Sequence, residues 1–112
     1  MVKPYSRLEQ ISEAIAHELS KYLQKELGEK YGIVSCARVE LESDTKRGIA
    51  YLSFFPPLSP EKNISDIIRP YRREITSIIR KQVPLKWIPT IDYTIDSSEQ
   101  KADRMYKIID KL

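Results

Sequence analysis

Six cations stand close together in the second half of the sequence: Arg69, Arg72, Arg73, Arg80, Lys81 and Lys86, with Glu74 the one acid among them. The segment from Arg69 to Trp87 therefore carries +5; the whole chain carries +3, so the other residues sum to −2. Charges more than about 10 Å apart in salt water scarcely cooperate, so positive charge gathered on one stretch is what a polyanion-binding surface requires. The chemistry open to such a set is neutralisation of phosphates.

Reactive groups are sparse elsewhere. His17, the single histidine, falls on the flank of an apolar stripe among charged neighbours, without a second histidine or an activated nucleophile, and reads as a surface helical residue. Cys36, the single cysteine, falls mid-strand with no neighbour to depress its pKa and reads as an inert structural thiol. One histidine and one cysteine far apart cannot build a metal centre, and one cysteine cannot close an internal disulfide. Gly28, Gly32 and Gly48 form no phosphate-cradling pattern. Asp92 and Asp96 could share a strand face as an acid/base pair, but no apolar setting pushes their pKa values apart, and solvation at a strand end explains them. Asn63-Ile64-Ser65 matches the N-glycosylation pattern by chance. The chain is expected to be no enzyme, with no catalytic residue, no metal, no cofactor and no small-molecule substrate.

The elements that must position the cations follow from periodicity. From Ser6 to Leu27 the residues Leu8, Ile11, Ile15, Leu19, Tyr22, Leu23 and Leu27 draw one stripe on a helix, with Ser6 and Glu9 as a capping box and Gly28 as the stop. Ile33 to Glu42 alternates, with Ser35, Ala37, Val39 and Leu41 on one face and Cys36, Arg38, Glu40 and Glu42 on the other. Gly48 to Phe55 is a second strand, joined to the first by the short polar link 43–47 in an antiparallel hairpin and ended by Pro56-Pro57. Ser59-Pro60-Glu61 opens a short helix through Ile64, Ile67 and Ile68. Pro70 interrupts it, and a further helix from Pro70 carries Tyr71, Ile75, Ile78 and Ile79 inward. At about 100° per residue, Arg69, Arg72, Arg73, Thr76 and Arg80 then occupy the opposite side. Val83-Pro84 closes that helix. Ile88 to Asp96 is a third strand with Ile91, Tyr93 and Ile95 facing the core, and a last helix over 98–112 is capped by Ser97 or Ser98. The fold class is α+β, order α-β-β-α-α-β-α, with helices on one face of a three-stranded sheet.

At 112 residues and 13.1 kDa, with 41% hydrophobic and 31% charged residues, the chain is expected to be one domain over 1–112 that needs no disulfide or metal to hold it. The composition excludes a disordered chain, no apolar run approaches the ~18–20 residues of a membrane span, and the first residues lack a secretory signal. A cytoplasmic protein is expected.

Several stretches together resemble ribosome-binding factor A, a bacterial assembly factor of the small ribosomal subunit. They are Arg7 with the helix ending Leu23-Gln24-Lys25-Glu26-Leu27, then Val39-Glu40-Leu41-Glu42-Ser43-Asp44, Ala50-Tyr51-Leu52-Ser53-Phe54, Leu85-Lys86-Trp87-Ile88-Pro89-Thr90-Ile91 and Tyr93-Thr94-Ile95-Asp96. The likeness runs from Arg7 to about Leu112. It implies a type-II KH domain, whose usual Gly-x-x-Gly loop this family replaces with an Ala-x-Gly kink. Here the kink positions read Pro70, Tyr71, Arg72 and Arg73 with no glycine, so side-chain charge must carry more of any phosphate contact. The flexible tail of longer family members is not expected here, nor are functions assigned to it. The resemblance implies a factor that binds small-subunit ribosomal RNA late in subunit maturation; the clustered cations Arg69, Arg72, Arg73, Arg80, Lys81 and Lys86 are the expected contacts, and a monomer is expected. The basic face by itself would also suit an acidic partner protein or another RNA. No membrane contact is expected.

Overall fold

The computed structural model describes residues 7–96. The first helix, α1 (Arg7–Tyr31), buries Ile11, Ile15, Leu19, Tyr22, Leu23 and Leu27, the stripe read from the spacing of three and four. It continues past Gly28, so that glycine is not the stop. Gly32 is: its φ of +92° is a left-handed conformation, and its N–H donates to the Gly28 carbonyl at 2.8 Å. Gln24 helps the turn into the sheet, donating from Nε2 to the Gly32 carbonyl at 3.2 Å while its Oε1 accepts from the Val34 N–H at 2.8 Å. The expected capping box needs Ser6, which lies outside the described residues.

Strands β1 (Ile33–Leu41) and β2 (Arg47–Phe55) pair antiparallel from Ile33 opposite Phe55 to Leu41 opposite Gly48. The hairpin is as expected, but the inward face of β1 is not. Val34 and Cys36 point into the core; a bulge between Cys36 and Arg38 then shifts the register, so Val39 points inward too while Ala37 is exposed and Ser35 only half-buried. Val34 and Val39 are five apart, an odd spacing that a strand of period two can bury on one face only by inserting an extra residue. Cys36 is buried, its thiol donating to the Arg38 carbonyl at 3.3 Å, and burial pushes its pKa up to about 11.

The next helix begins later than expected. Ser59 to Lys62 forms a turn, and α2 (Ile64–Ile68) starts after Asn63, whose Oδ1 accepts the Ser65 N–H at 2.9 Å. The Asn63-Ile64-Ser65 tripeptide is therefore a helix cap. Pro70 interrupts as read: Arg69–Tyr71 is a single 3-10 turn, and α3 (Arg72–Gln82) starts after it, two residues beyond the expected Pro70. Proline has no N–H for the α-helical ladder, which is why the chain tightens there. Val83, in extended conformation, closes α3 with its N–H on the Ile79 carbonyl.

Strand β3 (Thr90–Ile95) lies parallel to β2, giving the order β1-β2-β3. Parallel pairing is what the helical crossover between β2 and β3 permits. Ile91 and Tyr93 face the core as expected. Ile95 does not: at the end of the strand, opposite Leu52, it is 43% exposed. The helix expected over 98–112 lies outside the described residues. Ile15, Leu23, Leu52 and Ile68 are fully buried where α1 and α2 meet the sheet, each such side chain contributing about 1.5–3 kcal/mol. The order α-β-β-α-α-β, with helices on one face of a mixed sheet, is the KH-like α+β arrangement.

Candidate nucleic-acid interface

The segment Pro70 to Gln82 turns one flank toward the core, burying Ile75 and Ile79. That orientation leaves Arg72, Arg73, Arg80 and Lys81 exposed. Among the described residues no carboxylate pairs with any of them, nor with exposed Lys86. The one acid of the segment is turned elsewhere: Glu74 accepts a 2.6 Å hydrogen bond from the Tyr22 hydroxyl on α1. Burial and the Glu74 carboxylate both push the Tyr22 phenol up, so it stays a donor. Tyr22 also meets Tyr71 edge-on, ring centroids 6.2 Å apart, which ties the kink to α1. The segment's negative charge thus serves the α1–α3 contact and is absent from the cationic side.

Arg72, Thr76 and Arg80 follow one another at intervals of four along α3, so they share a line along the helix, with Arg72 and Arg80 about 12 Å apart along the axis. This line forms one wall of a cleft of about 390 Å³. Ile75, Ile79 and Ile91 line it with apolar surface, and Ile88, Pro89, Thr90 and Tyr93 contribute from β3 and the segment before it. The Arg72 guanidinium lies 5.7 Å from the centre of the Tyr93 ring, a cation–π contact. Burial raises the Tyr93 phenol to about 12, against the opposing pull of the Arg72 charge. The cleft therefore offers two guanidinium groups, the hydroxyls of Thr76, Thr90 and Tyr93 and an apolar lining, a combination able to hold a phosphate chain at its rim.

Of the six cations read from the sequence, Arg72 and Arg80 line this cleft and Arg73, Lys81 and Lys86 are exposed. Arg69 is set apart, because it donates to Asp66 on α2 at 2.7 Å, which partly neutralises it. Pro70 and Tyr71 form the turn between the helices and line a second groove against the end of α1. Thr90 and Tyr93 escaped the sequence reading as site residues because only the tertiary fold brings β3 against α3. Trp87 escaped it too: the loop leaves it 52% exposed, with the Lys86 ammonium 5.0 Å from its ring centre.

The other groups weighed for chemistry are accounted for elsewhere. His17 is exposed on α1. Asp96 accepts from Arg38 at 3.3 Å while Asp92 is exposed on β3, so the two form no acid/base pair. Arg38 lies over the Tyr51 ring at 3.9 Å and also donates to Glu40 at 3.1 Å, on the sheet face away from the cleft. Among the described residues no three His, Cys, Asp or Glu side chains gather as a metal site, and no helix is long and apolar enough to cross a membrane.

The family model of ribosome-binding factor A matches residues 7–109 of the chain. Ribosome-binding factor A of Fusobacterium nucleatum is 30% identical over 114 residues, covering 95% of this chain and 95% of that protein. The solution structure of a Thermotoga maritima protein proposed to be a ribosome binding factor A superposes with a TM-score of 0.67 at 25% identity, over 86% of this chain and 92% of that one. The Thermus thermophilus factor, as fitted into a map of its 30S complex, shares the fold with a TM-score of 0.60 at 17% identity, over 84% of this chain and 97% of that one. The match along the sequence and the agreement in fold lead to one conclusion: this chain belongs to the ribosome-binding factor A family.

Proposed function

We propose that the chain is a non-catalytic, monomeric, cytoplasmic factor that binds ribosomal RNA of the small subunit during its late maturation. Residues 1–112 act as a single KH-like RNA-binding domain, and Arg72, Arg73, Arg80, Lys81 and Lys86 supply the contacts, with Arg69 peripheral. The observation that carries this reading is the segregation of charge on α3 and the loop after it: five exposed cations, four of them on the helix, without a carboxylate partner among the described residues, beside a cleft, with the lone acid turned to Tyr22. The related Thermus protein in its 30S complex supports the choice of target. Arginine neutralises phosphates without reading sequence, so affinity falls with salt and selectivity comes from RNA shape. Without a glycine at the kink, the Pro70–Arg73 backbone cannot approach a phosphate as a Gly-x-x-Gly loop does, and the guanidinium side chains make the contact. Sucrose-gradient sedimentation of tagged protein in cells tests the proposal. It should travel with free small subunits or their precursors; recovery only in the top fractions at low salt would refute it.

A further inference from the structure

Trp87 is the single tryptophan of the chain, and the fold leaves 52% of it in water. Its neighbours in the same loop behave otherwise: Leu85 and Ile88 pack against the core and Pro89 is buried. The loop thus turns its smaller apolar residues inward and presents its largest outward. Lys86 stands over the indole at 5.0 Å, so the ring offers a flat apolar surface with a cation beside it. The next two residues, Ile88 and Pro89, line the cleft that Arg72 and Arg80 edge. A phosphate chain held by those arginines would bring its bases within reach of this ring.

We infer that Trp87 is a stacking platform for an unpaired base, and that the preferred ligand is RNA with a single-stranded or splayed-out nucleotide beside the phosphates held on α3. This rests on the RNA-binding reading above and adds a requirement that charge alone does not impose. Phosphates are present on duplex and single strand alike, whereas a base face is free to stack only where the strand is unpaired. Aromatic stacking tolerates any base, so the preference is for unpaired structure and not for sequence.

The test uses the full chain with two probes of equal length, an oligoadenylate and a blunt RNA duplex, each end-labelled so that binding is read by anisotropy while Trp87 reports by its own fluorescence. Oligoadenylate should quench the tryptophan and the duplex should not. Trp87→Ala should weaken oligoadenylate binding by about 5- to 160-fold, the range of one stacked base, with the salt dependence unchanged because no charge is removed. Trp87→Phe should recover most of the loss, and the thermal midpoint of both variants should stay near the parent's because the residue is exposed. If both probes bind by anisotropy but the fluorescence does not respond, or Trp87→Ala binds oligoadenylate as the parent does, the stacking role is wrong while the cationic face stands. If neither probe binds, the RNA-binding reading falls and the stacking role falls with it.

Discussion

Replacing Arg72, Arg73 and Arg80 together with alanine separates binding from folding. All three are exposed, Arg72 and Arg80 along the cleft that Ile75 and Ile79 also line and Arg73 outside it, and none is tied to a carboxylate among the described residues. Exposed substitutions typically alter stability by about 0.5 kcal/mol or less, so the three together should cost no more than about 1.5 kcal/mol. Loss of the Arg72 contact to Tyr93 falls within that figure. Binding should respond more strongly. If each arginine neutralises one phosphate, the slope of log affinity against log salt becomes shallower by roughly 2.1 on single-stranded RNA and roughly 2.7 on a duplex-like target. Across a fourfold rise in salt the parent would then lose about 20- to 40-fold more affinity than the variant. Arg69→Ala is the internal control: its guanidinium is already paired with Asp66, so its slope should change least. Labelled ribosomal RNA fragments titrated at several salt concentrations give the slopes, and thermal unfolding gives the stability. An unchanged slope in the triple variant, or an equal effect from Arg69→Ala, would refute the assignment of the interface to this flank.

Three further outcomes are expected. Pro70→Ala restores an N–H and lets α2 and α3 fuse through the 3-10 turn, so RNA affinity should fall more than stability; equal RNA binding with parent-like stability would make the turn a packing feature only. Gly32→Ala places a side chain at φ +92°, with its Cβ at 2.5 Å from the Phe55 carbonyl oxygen, and should cost at least about 1 kcal/mol in denaturant unfolding; a neutral result would show that the helix end relaxes freely. The Cys36 thiol should be slow to react in the folded chain: a pKa near 11 in place of 9.0 lowers its thiolate fraction about 100-fold at neutral pH. Because that folded pKa is raised, the thiol's contribution to stability is intact below about pH 9 and is lost as pH climbs towards 11, a fall that unfolding titrations with and without Cys36→Ala would isolate.

The features legible in the sequence were those that one element determines alone. The α1 stripe, the hairpin and the break at Pro70 each follow from local spacing or covalent chemistry, and all three stand. What the sequence hid depended on choices between local options. Gly28 and Gly32 were both available as stops, and the turn into β1, held by Gln24, selects the second. The β1 bulge was signalled by the odd spacing of Val34 and Val39, but simple alternation passes over it. Asn63 competed with Ser59 as a cap, and its side chain reaches the Ser65 N–H. At the candidate site the run of cations could be read from the sequence, but helical angles set Arg72 opposite Ile75 and Ile79, and the structure places all three in one cleft; that placement, the pairing of Arg69 with Asp66, the turning of Glu74 to Tyr22 and the apposition of Thr90 and Tyr93 to α3 are tertiary facts.

Ultraviolet cross-linking of the chain to isolated small subunits, with the attached peptides identified by mass spectrometry, tests the central claim most directly. Cross-links to ribosomal RNA are expected on residues 72–93, with Trp87 and Tyr93 the aromatic candidates and Arg72 and Arg80 close by. Their loss in the Arg72, Arg73 and Arg80 triple variant should follow. Cross-links confined to the far face of the sheet, around Arg38 and Tyr51, or to α1, would contradict the assignment of RNA binding to the cationic flank of α3.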